Sequence, residues 1–397
     1  MNPPHADAEL LTSSFTIAPA SSARALDRDT SRRFYFRVPP NWRSPVVSNP
    51  HAREAERQVI AWFEGLGCTK AELARARRFD VAGYVGIPFP TIPLHKTIQI
   101  GKYLSLWLLW DDVEVETLDD RWVTDAEHVL AQRRPAGMNR FDEGWWDLLT
   151  GFAASRSPRW IQDLCRAMMD WNAAAVEEAE IMAACRQHGE PPPFERQLEM
   201  RVATIGMYAT VYLLEDAYDI ELPRDFHAHP TVLRLKWLAN EIVGLGNDIL
   251  SFGKDYTESQ INLVTTLMYQ RGVSVDDAIA HLVHMHDEAL LEYDRLAESL
   301  HGWPPDVMAV ITRWLQDVRY ASLGFSLWES QAPRYTAYKV VTDGRVIEPR
   351  FSFFPPQPSE RPHRTSEPPT SRRPSWRPSR NSVPPSSRHG TSTVEHS

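Results

Sequence analysis

The 397 residues are 43% hydrophobic and 10% aromatic, enough for a substantial core in one large or two medium domains. Acidic residues outnumber basic ones 52 to 43, and the net charge of −9 argues against a general nucleic-acid-binding protein. Three scattered cysteines argue against a secreted disulfide scaffold, and no apolar run approaches the ~18 residues of a membrane helix. Without a basic and then apolar N-terminal stretch, the sequence favours a soluble, cytoplasmic protein.

The two ends of the chain differ in composition from the rest. Residues 355–397 hold ten prolines, ten serines and seven arginines, with three glutamates and almost no apolar side chains. Such a segment cannot bury enough surface to offset its ordering entropy, so a disordered tail is predicted. The tail is interpreted either as a tether that binds a partner or an anionic surface, or as a dispensable extension. Residues 1–33 show no periodicity and are predicted to be a flexible leader.

Between these ends, residues 34–354 carry a helical pattern and are predicted to form a single all-α domain. Prolines fall mainly between amphipathic stretches, as in PFPTIP at 88–93, where helices stop and restart. We find no run of alternating strands with Asn-Gly or Asp-Gly turns and no repeat of 20–50 residues. The predicted helical stretches are residues 51–66, 97–117, 160–187, 197–217, 232–255, 259–271, 275–300 and 305–331.

The first unusual motif is an apolar segment, LSLWLLW at 104–110, that runs directly into the acidic sequence DDVEVE at 111–116. At ~100° per residue, Asp112 and Glu116 stack one helical turn apart, and Asp111 lies beside Asp112. Like charges so placed repel one another and cost helix stability. Binding of Mg²⁺ through the carboxylate oxygens would remove that cost. The alternative is an acidic helix end that is simply solvated.

The second motif is GNDILSFGKD at residues 246–255. Asn247, Ser251 and Asp255 are each four residues apart, so their side chains drift only ~80° around one helix. A carboxamide, a hydroxyl and a carboxylate offer the oxygen donors that Mg²⁺ prefers, and Lys254 beside them can meet a phosphate that the metal bridges. The alternative is an ordinary polar helix face, although Asn, Ser and Gly are mediocre helix formers.

Together, the motifs DDVEVE and NDILSFGKD, 136 residues apart, resemble the motif pair of the class I terpene synthases of bacteria and fungi. In that family the two motifs face each other across an α-helical barrel and bind three Mg²⁺ ions and the diphosphate of a prenyl substrate. The resemblance covers about residues 34–336 and includes FYFRVPPNW and SNPHAREAE near its start. The metal ligands that it implies are Asp111, Glu116, Asn247, Ser251 and Asp255.

Further landmarks fit the same resemblance. Arg201 stands where the family places its diphosphate-sensing arginine, and Gly206 stands where the sensor helix breaks. Near the end, GFSLWESQAPRY matches a Gly-x-x-x-Trp and then Arg-Tyr spacing. This spacing assigns Arg334 and Tyr335 to diphosphate binding and Trp328 to the cavity wall.

The resemblance implies two sets of substrate-contacting residues. The set that binds the diphosphate and assists its departure is Arg201, Lys254, Arg334 and Tyr335. These groups neutralise the negative charge that develops on the leaving pyrophosphate. The allyl cation left behind needs walls that exclude water, and aromatic faces also stabilise cations by ~0.5–2 kcal/mol each. The candidate wall residues are Trp107, Phe89 and Trp328, with plain core packing as the alternative for each.

Three departures from the family pattern bear on these assignments. The third acid of the aspartate-rich motif arrives at Glu116 rather than at Val115, a DDxxxE variant that the family also shows. Asp255 stands where the triad usually has Glu. Because Mg²⁺ demands near-ideal geometry at ~2.0–2.1 Å, the shorter arm would shift the helix or weaken that site. A second pair, Arg319–Tyr320, lacks the surrounding Trp spacing, so Arg334 is preferred.

The implied function is Mg²⁺-dependent ionisation of a prenyl diphosphate, with farnesyl diphosphate favoured, followed by cyclisation or quenching to a sesquiterpene and release of pyrophosphate. One alternative is a chain-elongating prenyl diphosphate synthase, but Asp276–Asp277 followed by Ala-Ile-Ala does not supply its second aspartate-rich motif. The other is a non-catalytic helical diphosphate-binding protein, which the shortened Asp255 keeps open. The expected partner is a small-molecule prenyl diphosphate, without nucleic acid, and the chain is expected to be a monomer or homodimer.

Overall fold

Amphipathic helices make up most of the chain, as the apolar periodicity predicts. The computed structural model describes residues 15–21, 31–114 and 125–353, all within one compact unit. Each predicted helical stretch contains helix, and the stretch 197–217 is divided into two. The helices are α1 (Ala52–Gly65), α2 (Lys70–Arg78), α3 (Val81–Gly86), α4 (Leu94–Glu114), α5 (Ala126–Leu130), α6 (Arg140–Ala153), α7 (Pro158–His188), α8 (Phe194–Thr204), α9 (Met207–Ala217), α10 (Arg224–Ala228), α11 (Pro230–Thr257), α12 (Leu263–Arg271), α13 (Val275–Glu298), α14 (Pro305–Glu329) and α15 (Pro333–Thr336).

Local capping signals fix several helix starts, including two helices that the periodicity does not predict. Thr69 caps α2 and Asn139 caps α6, each in a reciprocal capping box with an acid three residues later, Glu72 or Asp142. Asn262 caps α12 in the same way, with Thr265 as the partner. Helices α2 and α6 were therefore readable from their caps rather than from a long apolar stripe.

A small sheet joins the two ends of the described chain and corrects the expectation that strands are absent. Its strands are β1 (Thr16–Pro19), β2 (Arg32–Val38), β3 (Tyr338–Thr342) and β4 (Arg345–Phe353), in the order β1-β3-β4-β2. Strand β1 runs antiparallel to β3, and β2 runs parallel to β4. The β3–β4 turn is Asp343–Gly344, with φ angles of 48° and 72°, and this Asp-Gly hairpin signal was overlooked in the sequence.

The sheet changes the description of the predicted leader. Within residues 1–33, the segment 16–19 forms strand β1, because its backbone pairs with β3 and Phe15 packs on the rings of Phe252 and Tyr256. The predicted tail, residues 355–397, lies outside the described residues. The helical fold class is confirmed, and the sheet is an addition beside α11 and α13.

Helix α11 is the central element, and it is buried on nearly all sides between Leu235 and Asp255. It packs against α8, α9, α13 and α14 and carries the whole second motif. A helix buried all round reads as apolar on every face, so the polar side chains at 247, 251 and 255 are conspicuous there. None of the described helices has the length and hydrophobicity needed to cross a membrane.

Candidate active site

A cavity of about 760 Å³ opens between α4, α7, α8, α11 and α14. It is large enough for a small organic ligand, because such sites commonly have ~300–1,000 Å³. The sequence-predicted site residues that line it are Trp107, Asp111, Arg201, Asn247, Ser251, Lys254, Asp255, Trp328, Arg334 and Tyr335. Two others are not among them: Phe89 does not line the cavity, and Glu116 lies outside the described residues.

The end of α4 supplies the acidic side of the cavity. The two oxygens of Asp112 accept hydrogen bonds from the guanidinium of Arg334, with Nη2–Oδ1 at 2.6 Å, and Arg75 donates to the backbone carbonyl of Asp112 at 2.9 Å. The carboxylate of Asp111 has no hydrogen-bond partner among the described residues. Burial, and then the neighbouring Asp112 charge, raises the pKa of Asp111 to about 6. Asp111 is thus an unpaired carboxylate suited to a cation.

The second motif forms the opposite side. Ser251 Oγ donates to Asp255 Oδ2 at 2.5 Å, Asn262 Nδ2 donates to the same oxygen at 2.8 Å, and Lys254 Nζ donates to Oδ1 at 3.1 Å. The short side chain of Asp255 is therefore tied to its own helix and to the residue that caps α12. Helix α11 continues without a break to Thr257, so the aspartate in place of glutamate does not distort the helix.

The predicted helix break is present beside Arg201. Helix α8 ends at Thr204, and Gly206 has a φ of 89°, a conformation that favours glycine, before α9 begins. A Cβ on Gly206 would meet no atom closer than 3.8 Å, the nearest being on Trp107, so the backbone angle rather than space requires glycine. Trp171 Nε1 donates to the Thr204 carbonyl at 2.7 Å and holds the broken end against α7.

Arg201 itself bridges two residues of α11. Its Nε donates to Asp248 Oδ1 at 2.7 Å, and its Nη2 donates to Asn247 Oδ1. Asp248 is further held by the Leu263 amide, which donates to Oδ2 at 2.7 Å. The sensor arginine of the resemblance therefore contacts Asn247 of the triad directly.

Aromatic rings form the apolar part of the cavity. Trp328 stacks on Tyr84 with centroids 4.0 Å apart, and its Nε1 donates to the Phe79 carbonyl at 2.7 Å. Trp107 meets Trp171 edge-on at 4.4 Å. These contacts fix the rings of both predicted tryptophans at the cavity. Tyr84 and Trp171 were not found from the sequence, because only the packing of α3 and α7 brings them there.

The position of Phe89 corrects its assignment to the wall. Its ring is fully buried, 6.4 Å from the ring of Phe325, and Phe325 is the residue that reaches the cavity. The Phe89 carbonyl accepts a hydrogen bond from Asn49 Nδ2 at 3.0 Å, which anchors the break after α3. Phe89 therefore supports the wall from behind, in the core-packing role that was its alternative.

Two acids at the cavity, the buried Glu329 and the half-buried Glu178, were also missed. Glu329 directly follows Trp328 and is only 3% exposed; its Oε1 accepts from Asn247 Nδ2 at 2.8 Å. Burial raises the pKa of Glu329 to about 8. Glu178 on α7 faces the same space, and burial raises its pKa above the usual value. Glu329 had a sequence signal, an acid inside the recognised motif GFSLWESQAPRY and next to Trp328, whereas Glu178 is one of several acids in its helix.

The donor set suits a hard divalent cation shared with a substrate. Asp111 on one side and the oxygens of Asn247, Ser251 and Asp255 on the other line one cavity. Among the described residues, no three His, Cys, Asp or Glu side chains converge closely enough to hold an ion by themselves. Mg²⁺ commonly binds through one or two carboxylates while water and substrate phosphates complete its shell, so this sparse set fits Mg²⁺.

Comparison with known proteins gives an independent view of the chain. Residues 102–292, which include both motifs, match the model "Terpene synthase family 2, C-terminal metal binding". Delta(6)-protoilludene synthase of Cyclocybe aegerita is 24% identical over 363 residues, covering 86% of this chain and 52% of that protein, so the chain spans about half of its length. Sesquiterpene synthase 6 of Postia placenta is 25% identical over 301 residues, covering 73% of this chain and 87% of that protein.

Solved structures of the same fold support the architecture. Linalool/nerolidol synthase from Streptomyces clavuligerus superposes with a TM-score of 0.62 at 19% identity, over 72% of this chain and 98% of that one. An α-eudesmol synthase superposes with a TM-score of 0.60 at 20% identity, over 72% of this chain and 96% of that one. At these identities the likeness concerns the fold.

Proposed function

Because the chain belongs to the terpene synthase family, we propose that it ionises a prenyl diphosphate and converts the resulting carbocation to a hydrocarbon or alcohol. The observation that carries this proposal is the two-part cavity. Oxygen donors and cationic side chains lie together, and Trp107 and Trp328 line the same space. The reaction requires a polar site that stabilises the departing diphosphate. Beside it, the reaction requires an aromatic site that stabilises a carbocation.

The metal assigned to this site is Mg²⁺, with three ions as in the class that the motifs resemble. Asp111 would hold metal on the α4 side, and Asn247, Ser251 and Asp255 would hold it on the α11 side, with Glu116 as a further proposed ligand. Mg²⁺, when bound, supplies charge that neutralises the diphosphate and makes it a better leaving group. The carboxylate of Asp111, which has no hydrogen-bond partner in the part of the chain that the structure describes, supports this assignment.

Four side chains of the cavity are proposed to stabilise the leaving diphosphate: Arg201, Lys254, Arg334 and Tyr335. When the C–O bond breaks, its electron pair leaves with the diphosphate and negative charge grows on that group. Arg201 and Arg334 now bind the carboxylates of Asp248 and Asp112. Exchange of those partners for diphosphate oxygens would keep a charge-assisted hydrogen bond for each guanidinium.

The aromatic wall is proposed to protect the carbocation. The faces of Trp107, Trp328 and Tyr84 present electron-rich rings, each able to stabilise a nearby cation by ~0.5–2 kcal/mol. Their positions are fixed by the ring contacts and by the Trp328–Phe79 hydrogen bond, so the wall keeps its shape while the charge moves. The contour of this wall would decide the product.

Farnesyl diphosphate is the proposed substrate, with a sesquiterpene as product. Relatives of this chain carry the names of sesquiterpene synthases, among them sesquiterpene synthase 6 and the protoilludene synthases. The cavity of about 760 Å³ has to admit the diphosphate and its ions as well as the hydrocarbon chain. That demand favours a substrate with a prenyl chain of intermediate length over one with a longer prenyl chain.

Product analysis tests the proposal. The full chain is incubated with Mg²⁺ and with geranyl, farnesyl or geranylgeranyl diphosphate, and the extracts are examined by gas chromatography with mass detection. We expect fifteen-carbon products from farnesyl diphosphate and no change when isopentenyl diphosphate is added. Longer prenyl diphosphates in the presence of isopentenyl diphosphate would instead identify a chain-elongating enzyme, and diphosphate binding without any product would identify a non-catalytic protein.

A further inference from the structure

Glu329 occupies an unusual place in the cavity. It is the last residue of α14, 3% exposed, and it reaches across to Asn247 on α11. Its second oxygen, Oε2, has no hydrogen-bond partner among the described residues. A buried carboxyl group with an unsatisfied oxygen is costly to a fold, and an apolar side chain there would often be tolerated as well or better. Stability alone therefore does not account for a glutamate at this position.

The contact with Asn247 matters because the amide has two unlike ends. Only the oxygen can bind a cation, and a rotation of 180° about the last side-chain bond exchanges it for the NH₂ group. In the structure Asn247 Oδ1 accepts from Arg201, while Nδ2 donates to Glu329 Oε1 at 2.8 Å. Arg201 can only donate, so the reversed amide would place its NH₂ group against the guanidinium and would lose the hydrogen bond that Nδ2 donates to Glu329 Oε1.

Close packing of α14 on α11 makes this contact possible. A Cβ on Gly246, next to Asn247, would lie 2.7 Å from Ser326 Oγ, one turn before Glu329. The absence of that side chain lets the two helices approach, so that a glutamate at the end of α14 reaches the amide. Gly246 on α11 and Ser326 on α14 thus allow close helix packing next to the Glu329–Asn247 contact.

We propose that Glu329 is a positioning residue for Asn247: by accepting the amide hydrogen it fixes the amide oxygen in the orientation that can bind the metal. The inference rests on the proposed function, since it takes Asn247 as a ligand. Residues that orient metal ligands in this way typically change metal affinity by 10–100-fold when they are removed. Glu329 acts through Asn247 and does not itself have to touch the metal or the substrate.

Metal binding separates this role from a structural one. Mn²⁺ binding in the presence of saturating inorganic pyrophosphate is measured by electron paramagnetic resonance for the wild type, Glu329→Leu and Glu329→Gln. We expect Glu329→Leu to raise the Kd for Mn²⁺ at least ~10-fold without lowering the melting temperature. Glu329→Gln should stay within ~3-fold of the wild type, because its own carbonyl oxygen can accept the same hydrogen bond.

A matched control lies on the same helix. Asp317 on α14 is also buried, pairs with Arg313 at 2.7 Å and does not line the cavity. Asp317→Asn should leave the Kd for Mn²⁺ unchanged, whatever it does to stability. An effect of Asp317→Asn equal to that of Glu329→Leu would show that any buried acid on α14 perturbs the site, and it would overturn the positioning role.

The outcomes distinguish this inference from the proposed function. Absence of Mn²⁺ binding by the wild type, or unchanged binding in Asn247→Ala, contradicts the metal assignment and the inference with it. Weakened binding in Asn247→Ala together with a Kd for Glu329→Leu within twofold of the wild type overturns the inference alone. Weakened binding in both, with Glu329→Gln near the wild type, supports it.

Discussion

Substituting asparagine for each of the two neighbouring acids at the end of α4 should change the free energy of unfolding in opposite directions. Asp111 has no hydrogen-bond partner among the described residues, whereas Asp112 is held by both outer nitrogens of the Arg334 guanidinium. Changing each aspartate to asparagine removes one charge with little change in volume. In the metal-free protein, Asp111→Asn should stabilise the fold and Asp112→Asn should destabilise it.

The magnitude for Asp111 follows from its pKa. Burial and the Asp112 charge raise that pKa from 3.8 to about 6. Because the folded protein holds the proton more tightly, its stability falls as the pH rises through this window, and the whole penalty is present above pH 6. A rise of this size in the pKa corresponds to about 3 kcal/mol of lost free energy of unfolding. Solvent reaches part of the side chain, so we expect Asp111→Asn to gain about 1–2 kcal/mol at pH 7.5.

The magnitude for Asp112 follows from its ion pair with Arg334. The two side chains are 12% and 15% exposed, so the pair is mostly removed from water. Breaking a fully buried pair costs about 3–5 kcal/mol, because the remaining charge is left unpaired. Partial exposure and the oxygen that asparagine retains reduce the cost, and we expect Asp112→Asn to lose about 2 kcal/mol.

Urea unfolding at pH 7.5 in the presence of EDTA measures both changes. Asp306→Asn is the matched control, because Asp306 is an exposed acid on α14 and should shift the free energy of unfolding by less than ~0.5 kcal/mol. Repetition at pH 5 should shrink the gain of Asp111→Asn, since the wild-type carboxyl is then protonated in the folded state. A loss of stability in Asp111→Asn, or equal shifts for the two variants, would refute this reading of the acidic motif.

Three further predictions concern backbone fit and burial. Gly206→Ala should lower the free energy of unfolding by ~1 kcal/mol and reduce activity, because the φ of Gly206 is 89°. Gly206→Asn should lower both quantities less. Unfolding curves and turnover rates measure the two effects. Gly324→Ala should lower the free energy of unfolding by ~1–3 kcal/mol, because its Cβ would lie 2.6 Å from the Pro88 Cα. In the same assay, Gly65→Ala should not lower it, because no atom lies within 4 Å of the added Cβ. Burial raises the pKa of Cys165 to about 12, so at pH 8 a thiol reagent should modify it only on unfolding; prompt labelling of the native protein would contradict this.

The helical part of the fold could be predicted because its apolar periodicity is sustained over many turns. Helices α4, α7, α11, α13 and α14 were each read from such stripes, and the prolines between them end one helix and begin the next. The sheet was missed because its strands are short and pair residues far apart in sequence, as in β1 with β3. Its one local signal, the Asp343–Gly344 turn, is only two residues long.

The candidate site could be predicted as a set of residue types but not as a set of contacts. The spacing of the motifs predicted that Asp111, Asn247 and Arg334 share one site, and all three line one cavity. The partnership between Arg334 and Asp112 joins residues 222 positions apart, and nothing local in either segment specifies it. Glu329 was overlooked for the same reason, because its contact with Asn247 depends on the packing of α14 against α11. Phe89 was misplaced because an aromatic ring at a helix break can face the cavity or the core.

Pyrophosphate release from farnesyl diphosphate tests most directly whether Asp111 and Asn247, on opposite sides of one cavity, hold the metal that makes the diphosphate leave. Release by the full chain should require Mg²⁺, stop in EDTA and match the formation of terpene product, hydrocarbon and alcohol together, one to one. The double variant Asp111→Ala with Asn247→Ala should release pyrophosphate at least ~10²-fold more slowly, while Asp306→Ala matches the wild type. Release that persists in the double variant at the wild-type rate would contradict the account.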